Sequence, residues 1–181
     1  MLFHGTLVRL RKMTLDDAKR YHEWRNDPEL TQFTYPTIDA YSLADTEKFV
    51  EQITQSANSK TYFIEENQHG KPIGITSLIE IDWANRHAEG VIDIGDKNYW
   101  GKGYGTEALG LLLELAFCEL NLHRISLRVF SFNERAIKSY QKLGFVIEGV
   151  QKEVIFRNGE WHDVHFMGLL QRHYLSQHNG D

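Results

Sequence analysis

The sequence YWGKGYG at residues 99–105 places three glycines and a lysine directly before TEALGLLLELAF, an apolar run that predicts a helix. Glycine adopts the left-handed backbone conformations that a tight turn between a strand and a helix often requires. The free backbone amides of such a turn, together with the positive end of the helix dipole, attract anionic groups. The stretch therefore predicts an anion-binding turn that opens a helix.

Neither of two common phosphate-binding motifs accounts for this turn. In the motif G-x-x-x-x-G-K-[ST] the glycines are five positions apart, whereas Gly95 lies six positions before Gly101, and Lys102 precedes a glycine instead of a magnesium-binding hydroxyl. The pattern G-x-G-x-x-[GA] is met at residues 103–108, but the following strand, RISLRVF, carries arginines where a dinucleotide site needs an acidic residue. The sequence thus excludes a nucleoside triphosphatase and disfavours a dinucleotide-binding fold.

Length and composition predict one soluble globular domain spanning residues 1–181. Apolar residues make up 41% and charged residues 25% of the chain, the proportions of a protein that folds around a core. The first residues, MLFHGTLVRLRKM, lack the apolar run of a secretion signal, and no window of about 18 apolar residues could span a membrane. We therefore expect a cytoplasmic protein without a membrane partner.

Cysteine and histidine indicate neither a disulfide nor a metal site. Cys118 is the single cysteine, so neither an intramolecular disulfide nor a multi-cysteine zinc site can form. Its position within an apolar helical run predicts that its thiol is buried. His162 and His165 lie in a predicted strand without a third ligand nearby, so we expect no metal.

The charge distribution argues against nucleic acid as a partner. The formal net charge is −5, and residues 1–98 carry 16 acidic and 11 basic side chains, whereas residues 99–181 carry 9 of each. A protein that binds the phosphates of nucleic acid needs a basic surface. The acidic excess in the first half of the chain favours a cationic partner instead.

Alternating apolar residues, helix caps and turn residues predict an α/β protein whose central sheet is mixed and mostly antiparallel, with helices on both faces. Asn158-Gly159, between two alternating runs, predicts a tight hairpin. Asn133 is predicted to cap a helix that Gly144 ends, and Asp27-Pro28 to end the first helix. The predicted strands are 6–13, 61–66, 72–82, 88–96 and 124–130, the hairpin is 152–170, and the helices are 14–27, 42–56, 106–120 and 133–144.

Two sequence blocks together resemble the GNAT superfamily of N-acetyltransferases. YWGKGYGTEAL follows the strand EGVIDIG, as the family pattern [QR]-x-x-G-x-[GA] does, and Trp100 replaces its Gln or Arg. NLHRISL and FRNGEWHDV are similar to the branch that holds ribosomal-protein N-terminal and spermidine acetyltransferases. The second family pattern, N-x-x-A-x-x-x-Y-x-K-x-G-F, is met in full by Asn133, Ala136, Tyr140, Lys142, Gly144 and Phe145.

The resemblance implies that acetyl-coenzyme A is the cosubstrate. Its pyrophosphate would lie on the amides of the glycine-rich turn, and its pantetheine arm would pair with the preceding strand like an added strand. Asn133 would lie beside the thioester. The implied cofactor-binding residues are Ile92, Asp93, Ile94, Trp100, Gly101, Lys102, Gly103, Tyr104, Gly105, Thr106, Asn133 and Lys142.

Direct acetyl transfer requires a neutral amine and a protonated leaving thiol. An amine with a pKa of about 10.4 is almost entirely protonated at pH 7, so a base or a desolvating site is needed. By family position Glu89, at the start of the fourth strand, is that base, and Asp93 is the second choice. Tyr140 is by the same resemblance the acid that protonates the departing thiolate.

The resemblance leaves the acceptor open. Spermidine acetyltransferases carry paired glutamates after the first helix, where FTYPTID has Thr34 and Tyr35. A protein N-terminus, a polyamine-like small amine and an amino sugar therefore all stay candidates for the primary-amine substrate. The alternative function is a catalytically inactive coenzyme A-binding sensor or scaffold with the same fold. A homodimer is possible in either case.

Overall fold

A computed structural model describes residues 3–178, and in this part of the chain seven strands form one sheet flanked by six helices. The strands are β1 (Val8–Lys12), β2 (Lys60–Glu66), β3 (Pro72–Asp82), β4 (His87–Ile94), β5 (Arg124–Phe130), β6 (Val146–Arg157) and β7 (Glu160–Leu170). The helices are α1 (Ala18–Arg25), α2 (Pro28–Thr34), α3 (Leu43–Gln55), α4 (Tyr104–Glu114), α5 (Glu134–Lys142) and α6 (Gln171–His178).

The sheet has the strand order β1-β2-β3-β4-β5-β7-β6. Neighbouring strands of this sheet are antiparallel except β4 and β5, which are parallel. The predicted α/β class with a mixed, mostly antiparallel sheet is therefore confirmed. None of the helices in residues 3–178 has the length and apolar character of a membrane span.

Strong local signals predicted several elements correctly. Asn133 caps α5, its side-chain oxygen accepting a hydrogen bond from the amide of Ala136 at 3.2 Å. Gly144 follows this helix with a φ of 93°, a left-handed conformation that suits glycine. Asn158 and Gly159 also have positive φ values, 51° and 86°, as the tight hairpin between β6 and β7 requires.

The prediction missed α2. Asp27-Pro28 was interpreted only as the end of the first helix, but it also begins the next one. The Asp27 side chain accepts a hydrogen bond from the amide of Glu29 at 2.9 Å, and Pro28 occupies the first turn, where a missing N–H costs nothing. The helix α6 was missed as well, since its sequence lacks a strong apolar period.

The prediction of a buried Cys118 was wrong. The helix that follows the glycine-rich turn is α-helical only to Glu114 and continues as a π-helical turn over Leu115–Glu119. This wider turn rotates the side chains relative to an α-helix. As a result Cys118 is exposed, although its neighbour Phe117 is buried in the core.

Two apolar clusters cover the two faces of the sheet. The larger one includes Leu109, Leu112 and Leu113 of α4, packed with Ile125 of β5 and Phe145. The smaller one lies on the opposite face, under α1 and α3, and consists of Met13, Ala18, Tyr21, Val50, Phe63 and Ile75. Helices therefore cover both faces, as the sequence predicted.

The parallel strands β4 and β5 pair over only three residues. The paired positions are His87 with Arg124, Ala88 with Ile125 and Glu89 with Ser126. Beyond them β4 continues to Ile94 and β5 continues to Phe130 without further pairing between the two strands. The sheet thus opens into a cleft at the carboxyl ends of β4 and β5.

The carboxylate of Glu107 joins α4 to the start of β1. It accepts hydrogen bonds from three successive amides, those of Thr6, Leu7 and Val8, at 2.9, 2.7 and 2.8 Å. Hydrogen bonds to a charged acceptor are stronger than neutral ones. This contact holds the N-terminal edge of the sheet against the helix that the glycine-rich turn opens.

We predict that Glu107→Ala lowers the free energy of unfolding by about 3 kcal/mol, because three amides lose a charged acceptor. Urea denaturation followed by far-UV circular dichroism measures this change. Glu119→Ala is the matched control, since Glu119 is exposed at the end of the same helical segment; it should change stability by less than about 0.5 kcal/mol. Equal losses in the two variants would contradict the proposed contact.

Candidate active site

The opening between β4 and β5 is the floor of a cleft of about 770 Å³. One end, here called the cofactor half, is lined by the glycine-rich turn, the free edge of β4 and the inner side of α5. The other end, the acceptor half, lies between α2 and the faces of β5, β6 and β7. All sequence-predicted site residues except Lys102 and Tyr104 line this cleft, so the structure brings them together.

The three glycines of the turn are required for different structural reasons. Gly101 and Gly103 have φ values of 71° and 89°, in the left-handed region that other residues rarely adopt. Gly105 lies within α4, where a Cβ atom would approach Cγ1 of Ile94 to 3.3 Å. Two glycines thus shape the turn, and the third lets α4 pack closely on β4.

The amides of residues 101–106 are available to a ligand. None of them donates a hydrogen bond to another group in residues 3–178 outside the helices, and the first helical bond runs from the amide of Glu107 to the carbonyl of Gly103. The N-terminus of α4 adds its positive dipole end. The Trp100 amide, in contrast, donates to the carbonyl of Lys97 at 3.1 Å, so the free amides begin at Gly101.

The Trp100 side chain closes one side of the cofactor half. Its indole nitrogen donates to the carbonyl of Ile94 at 2.7 Å. The guanidinium of Arg135 lies 3.9 Å from the centre of a Trp100 ring, and Phe33 of α2 packs edge-on against the indole. Trp100 therefore links the turn to α2 and α5, and Arg135 is a cleft residue that the sequence reasoning missed.

Peptide groups of β4 face the cleft in alternation. The carbonyl of Val91 accepts from the Thr76 hydroxyl of β3 at 2.9 Å, whereas the carbonyl of Ile94 accepts from Trp100 in the cleft. Because successive peptide groups of a strand point to opposite sides, Ile92 and Ile94 present theirs to the cleft. The sequence predicted backbone contacts with the cofactor at Ile92, Asp93 and Ile94. Asp93 differs from the other two, because its peptide group faces β3 and its side chain faces the cleft.

The helix α5 places three predicted residues along the cleft. Asn133, its cap, lies at the start, and Lys142 is exposed in the last turn. Tyr140 is buried, and within residues 3–178 its hydroxyl has no hydrogen-bond partner. Burial, with a smaller effect from the negative charge of Asp93, raises the pKa of Tyr140 well above its usual value.

Two carboxylates, Glu89 and Asp93, project from the same face of β4 into the cleft. An oxygen of Glu89 accepts a hydrogen bond from Nε of Arg128 at 2.9 Å, so its charge is compensated. Asp93 has no ion-pair or hydrogen-bond partner for its side chain in residues 3–178, and burial raises its pKa to about 7. Within residues 3–178 Glu89 thus has a cationic partner and Asp93 does not.

Apolar side chains dominate the acceptor half. Of the 16 acidic residues in the first half of the chain, Glu89 and Asp93 are the ones that line the cleft, so the acidic excess lies mostly elsewhere. Residues 3–178 contain no group of three or more His, Cys, Asp or Glu side chains arranged to bind a metal. The apolar lining residues are Leu30, Phe33, Pro36, Phe130, Val154, Ile155, Val164 and Phe166.

Arg157 fixes the segment after α2 over the acceptor half. Its guanidinium donates to the carbonyl of Tyr35 and, at 3.0 Å, to that of Pro36. The Tyr35 hydroxyl in turn lies 3.0 Å from that of Tyr21 in α1. Arg157 lies beside the hairpin turn in FRNGEWHDV. No local sequence pattern could predict its contacts with Tyr35 and Pro36, which lie more than 100 positions away.

A comparison with protein families shows which family the chain belongs to. The profile of the acetyltransferase (GNAT) domain matches residues 8–146. The chain belongs to the GNAT acetyltransferase family. The match includes the glycine-rich turn, the open strand pair and Tyr140, and so it covers the cofactor half of the cleft.

Individual relatives are similar to this chain over almost its whole length. It is 32% identical over 167 residues to the uncharacterized N-acetyltransferase p20 of Bacillus licheniformis, covering 91% of this chain and 93% of that protein. It is 30% identical to spermidine N(1)-acetyltransferase of Escherichia coli, covering 94% and 90%. The crystal structure of spermidine N-acetyltransferase from Vibrio cholerae with CoA and spermine superposes with a TM-score of 0.86 at 30% identity, covering 94% and 99%. The protein is thus an acetyl-CoA-dependent N-acetyltransferase.

We predict that Arg157→Ala raises the KM for the amine acceptor about tenfold, because the segment at Tyr35 and Pro36 loses two hydrogen bonds to a charged donor. Steady-state kinetics should show a KM for acetyl-CoA within twofold of the unchanged enzyme. Arg172→Ala, on the exposed surface of α6, is the matched control and should alter neither constant. If Arg157→Ala raises the KM for acetyl-CoA as much as the KM for the amine, Arg157 does not act on the acceptor half in particular.

Proposed function

We propose that the enzyme transfers the acetyl group of acetyl-CoA directly to a primary amine that enters from the acceptor half. The observation that carries this proposal is the opening between β4 and β5, which connects the free amides of residues 101–106 with Tyr140 and Asp93. A cosubstrate bound along this opening would present its thioester between the two side chains. The amine then meets the acetyl carbon without a covalent enzyme intermediate.

The residues of the cofactor half fit coenzyme A. Six free amides at a helix N-terminus match a pyrophosphate, and the exposed Lys102 adds a positive charge. The peptide group of Ile92 faces the cleft and matches an amide group of a pantetheine arm, whereas the carbonyl of Ile94 is already bonded to the Trp100 indole. Asn133 has an amide nitrogen left over after capping α5, and Lys142 offers a cation at the rim. When bound, acetyl-CoA supplies the activated acetyl group.

We propose that a carboxylate of β4 accepts the proton of the amine, and that Asp93 suits this role better than Glu89. A general base works best with a pKa near the operating pH, and the pKa of Asp93 is raised to about 7. Glu89 is instead engaged by Arg128, whose Nε donates to its carboxylate at 2.9 Å. Glu89 is the alternative base.

Tyr140 is proposed as the acid. The amine nitrogen forms a bond to the acetyl carbon, the bond from that carbon to sulfur breaks, and the thiolate takes a proton from the Tyr140 hydroxyl. A tyrosine hydroxyl is protonated at neutral pH, which is the form that a proton donor needs. Within residues 3–178 the hydroxyl of Tyr140 forms no hydrogen bond that would compete with this role.

We predict that Tyr140→Phe lowers kcat about 100-fold, because it removes a general acid, while the Kd of CoA changes less than twofold. Stopped-flow thiol release and isothermal titration calorimetry measure the two quantities. Tyr174→Phe is the control, since Tyr174 is equally buried but packs against Phe117 outside the cleft. A loss of CoA affinity equal to the loss of turnover would reject the acid role.

We predict that kcat/KM for the acceptor falls about tenfold per pH unit below an apparent pKa near 7, because protonated Asp93 cannot accept a proton. Asp93→Asn should lower the rate about 100-fold and abolish this part of the pH profile. Glu89→Gln, from the same face of β4, should keep the profile. If Glu89→Gln removes the pH dependence and Asp93→Asn does not, the base is Glu89.

The rival function is a coenzyme A-binding sensor or scaffold without turnover. A thiol-release assay with acetyl-CoA and a panel of amines separates the two functions. Thiol release that depends on an amine supports the enzyme. Tight CoA binding without release for any amine supports the sensor.

We also propose that the enzyme works in the cytoplasm as a homodimer that forms through the hairpin of β6 and β7. The strand β6 lies at the edge of the sheet, and a spermidine N-acetyltransferase from Vibrio cholerae has a dodecameric structure. Multi-angle light scattering tests the proposal, and a Trp161→Glu variant should be monomeric. The exposed apolar side chains of this hairpin outside the cleft are Val146, Ile147, Val150, Phe156 and Trp161.

A further inference from the structure

The acceptor half of the cleft has apolar walls on both sides. Phe33 and Pro36 approach it from α2 and the following segment, and Phe130, Val164 and Phe166 approach it from the sheet. These sheet residues share one face, because Val164 pairs with Phe130 and Phe166 pairs with Arg128 across β5 and β7. A ligand that enters this half therefore contacts mainly carbon atoms.

The charges in the acceptor half leave one place for a cation. On the strands that border this half the charged lining residues are Glu89, Asp93 and Arg128. On α5 they are Glu134, Arg135, Lys138 and Lys142, and the guanidinium of Arg135 lies 5.8 Å from the ring centre of Phe33. Arg128 is already bonded to Glu89 at 2.9 Å, so these two charges neutralise each other. Asp93 is the carboxylate that lacks a cationic partner within residues 3–178, and it lies four residues along the same strand face from Glu89.

We propose that the acceptor is a small monoamine whose single ammonium group is carried by an aromatic or branched aliphatic group. This inference rests on the proposed acetyl transfer and adds the class of substrate. The ammonium would pair with Asp93, and the apolar group would lie between Phe33 and Phe166. Removing apolar surface from water favours this placement.

A polyamine fits this cleft poorly. Its second ammonium would either lie against apolar walls without a counter-ion, which is unfavourable, or displace the guanidinium of Arg128 from Glu89. The lining of the cleft thus favours a monoamine over a polyamine.

The first test is a kinetic panel with the full chain and acetyl-CoA. The acceptors are 2-phenylethylamine and 3-methylbutylamine as apolar monoamines, 1,4-diaminobutane and spermidine as polyamines, glucosamine, and an alanine-terminated tetrapeptide. The proposal expects kcat/KM for the apolar monoamines to exceed that of every other acceptor at least tenfold. A higher or equal value for a polyamine, the sugar or the peptide overturns the proposal and keeps the acetyl transfer. Absence of thiol release with every acceptor rejects the proposed function itself.

The second test changes the apolar wall. Phe166→Ser should raise the KM for 2-phenylethylamine five- to tenfold and leave the KM for acetyl-CoA within twofold, which also shows that the variant is folded. Trp83→Ser is the control, since Trp83 is an exposed aromatic residue (47%, against 40% for Phe166) that lies outside both the cleft and the hairpin. If both substitutions change the KM for 2-phenylethylamine equally, Phe166 does not bind the apolar group of the amine and the proposal is overturned.

The third test adds a second carboxylate. Gln151 of β6 lines the acceptor half and is exposed, so Gln151→Glu introduces a charge with little change of shape. The ratio of kcat/KM for 1,4-diaminobutane to that for 3-methylbutylamine should rise at least tenfold. Gln52→Glu, on the exposed face of α3, should leave the ratio unchanged. An unchanged ratio in Gln151→Glu shows that counter-ions do not limit polyamine use and contradicts the proposal.

Discussion

The early separation of β4 from β5 is the constraint on which the active site depends. The two parallel strands pair over three residues, and then β4 keeps its antiparallel ladder with β3 while β5 keeps its ladder with β7. Each strand is therefore held on one side, and the facing edges are left without partners. The unpaired peptide group of Ile92 is tolerable because it borders a cleft that a ligand can enter, and the carbonyl of Ile94 accepts from the Trp100 indole.

The two halves of the cleft use different parts of the chain for recognition. In the cofactor half the contacts come from backbone amides of residues 101–106 and from the edge of β4, which explains why Trp100 can replace a polar residue there. In the acceptor half the contacts come from side chains of α2, β5 and the hairpin. A fixed cofactor site can therefore be combined with a variable acceptor site on one fold.

Local signals explain which elements could be predicted from the sequence. The cap at Asn133 and the turn at Asn158-Gly159 act within four residues, so the sequence was sufficient to place α5 and the hairpin. Asp27-Pro28 was ambiguous because the same residues end one helix and begin another. Cys118 was misplaced because a π-helical turn changes the angular spacing that an α-helical pattern assumes.

The sequence by itself determined the mixed α/β class, the anion-binding turn at residues 99–105 and the helix that carries Asn133 and Tyr140, because these follow from neighbouring residues. Only the tertiary structure decided that Arg128 neutralises Glu89, while Asp93 has no cationic partner within residues 3–178. It also decided that Arg157 holds the segment over the acceptor half. Charge states and pocket walls depend on burial and on partners that are distant in sequence, and no local pattern encodes either of them.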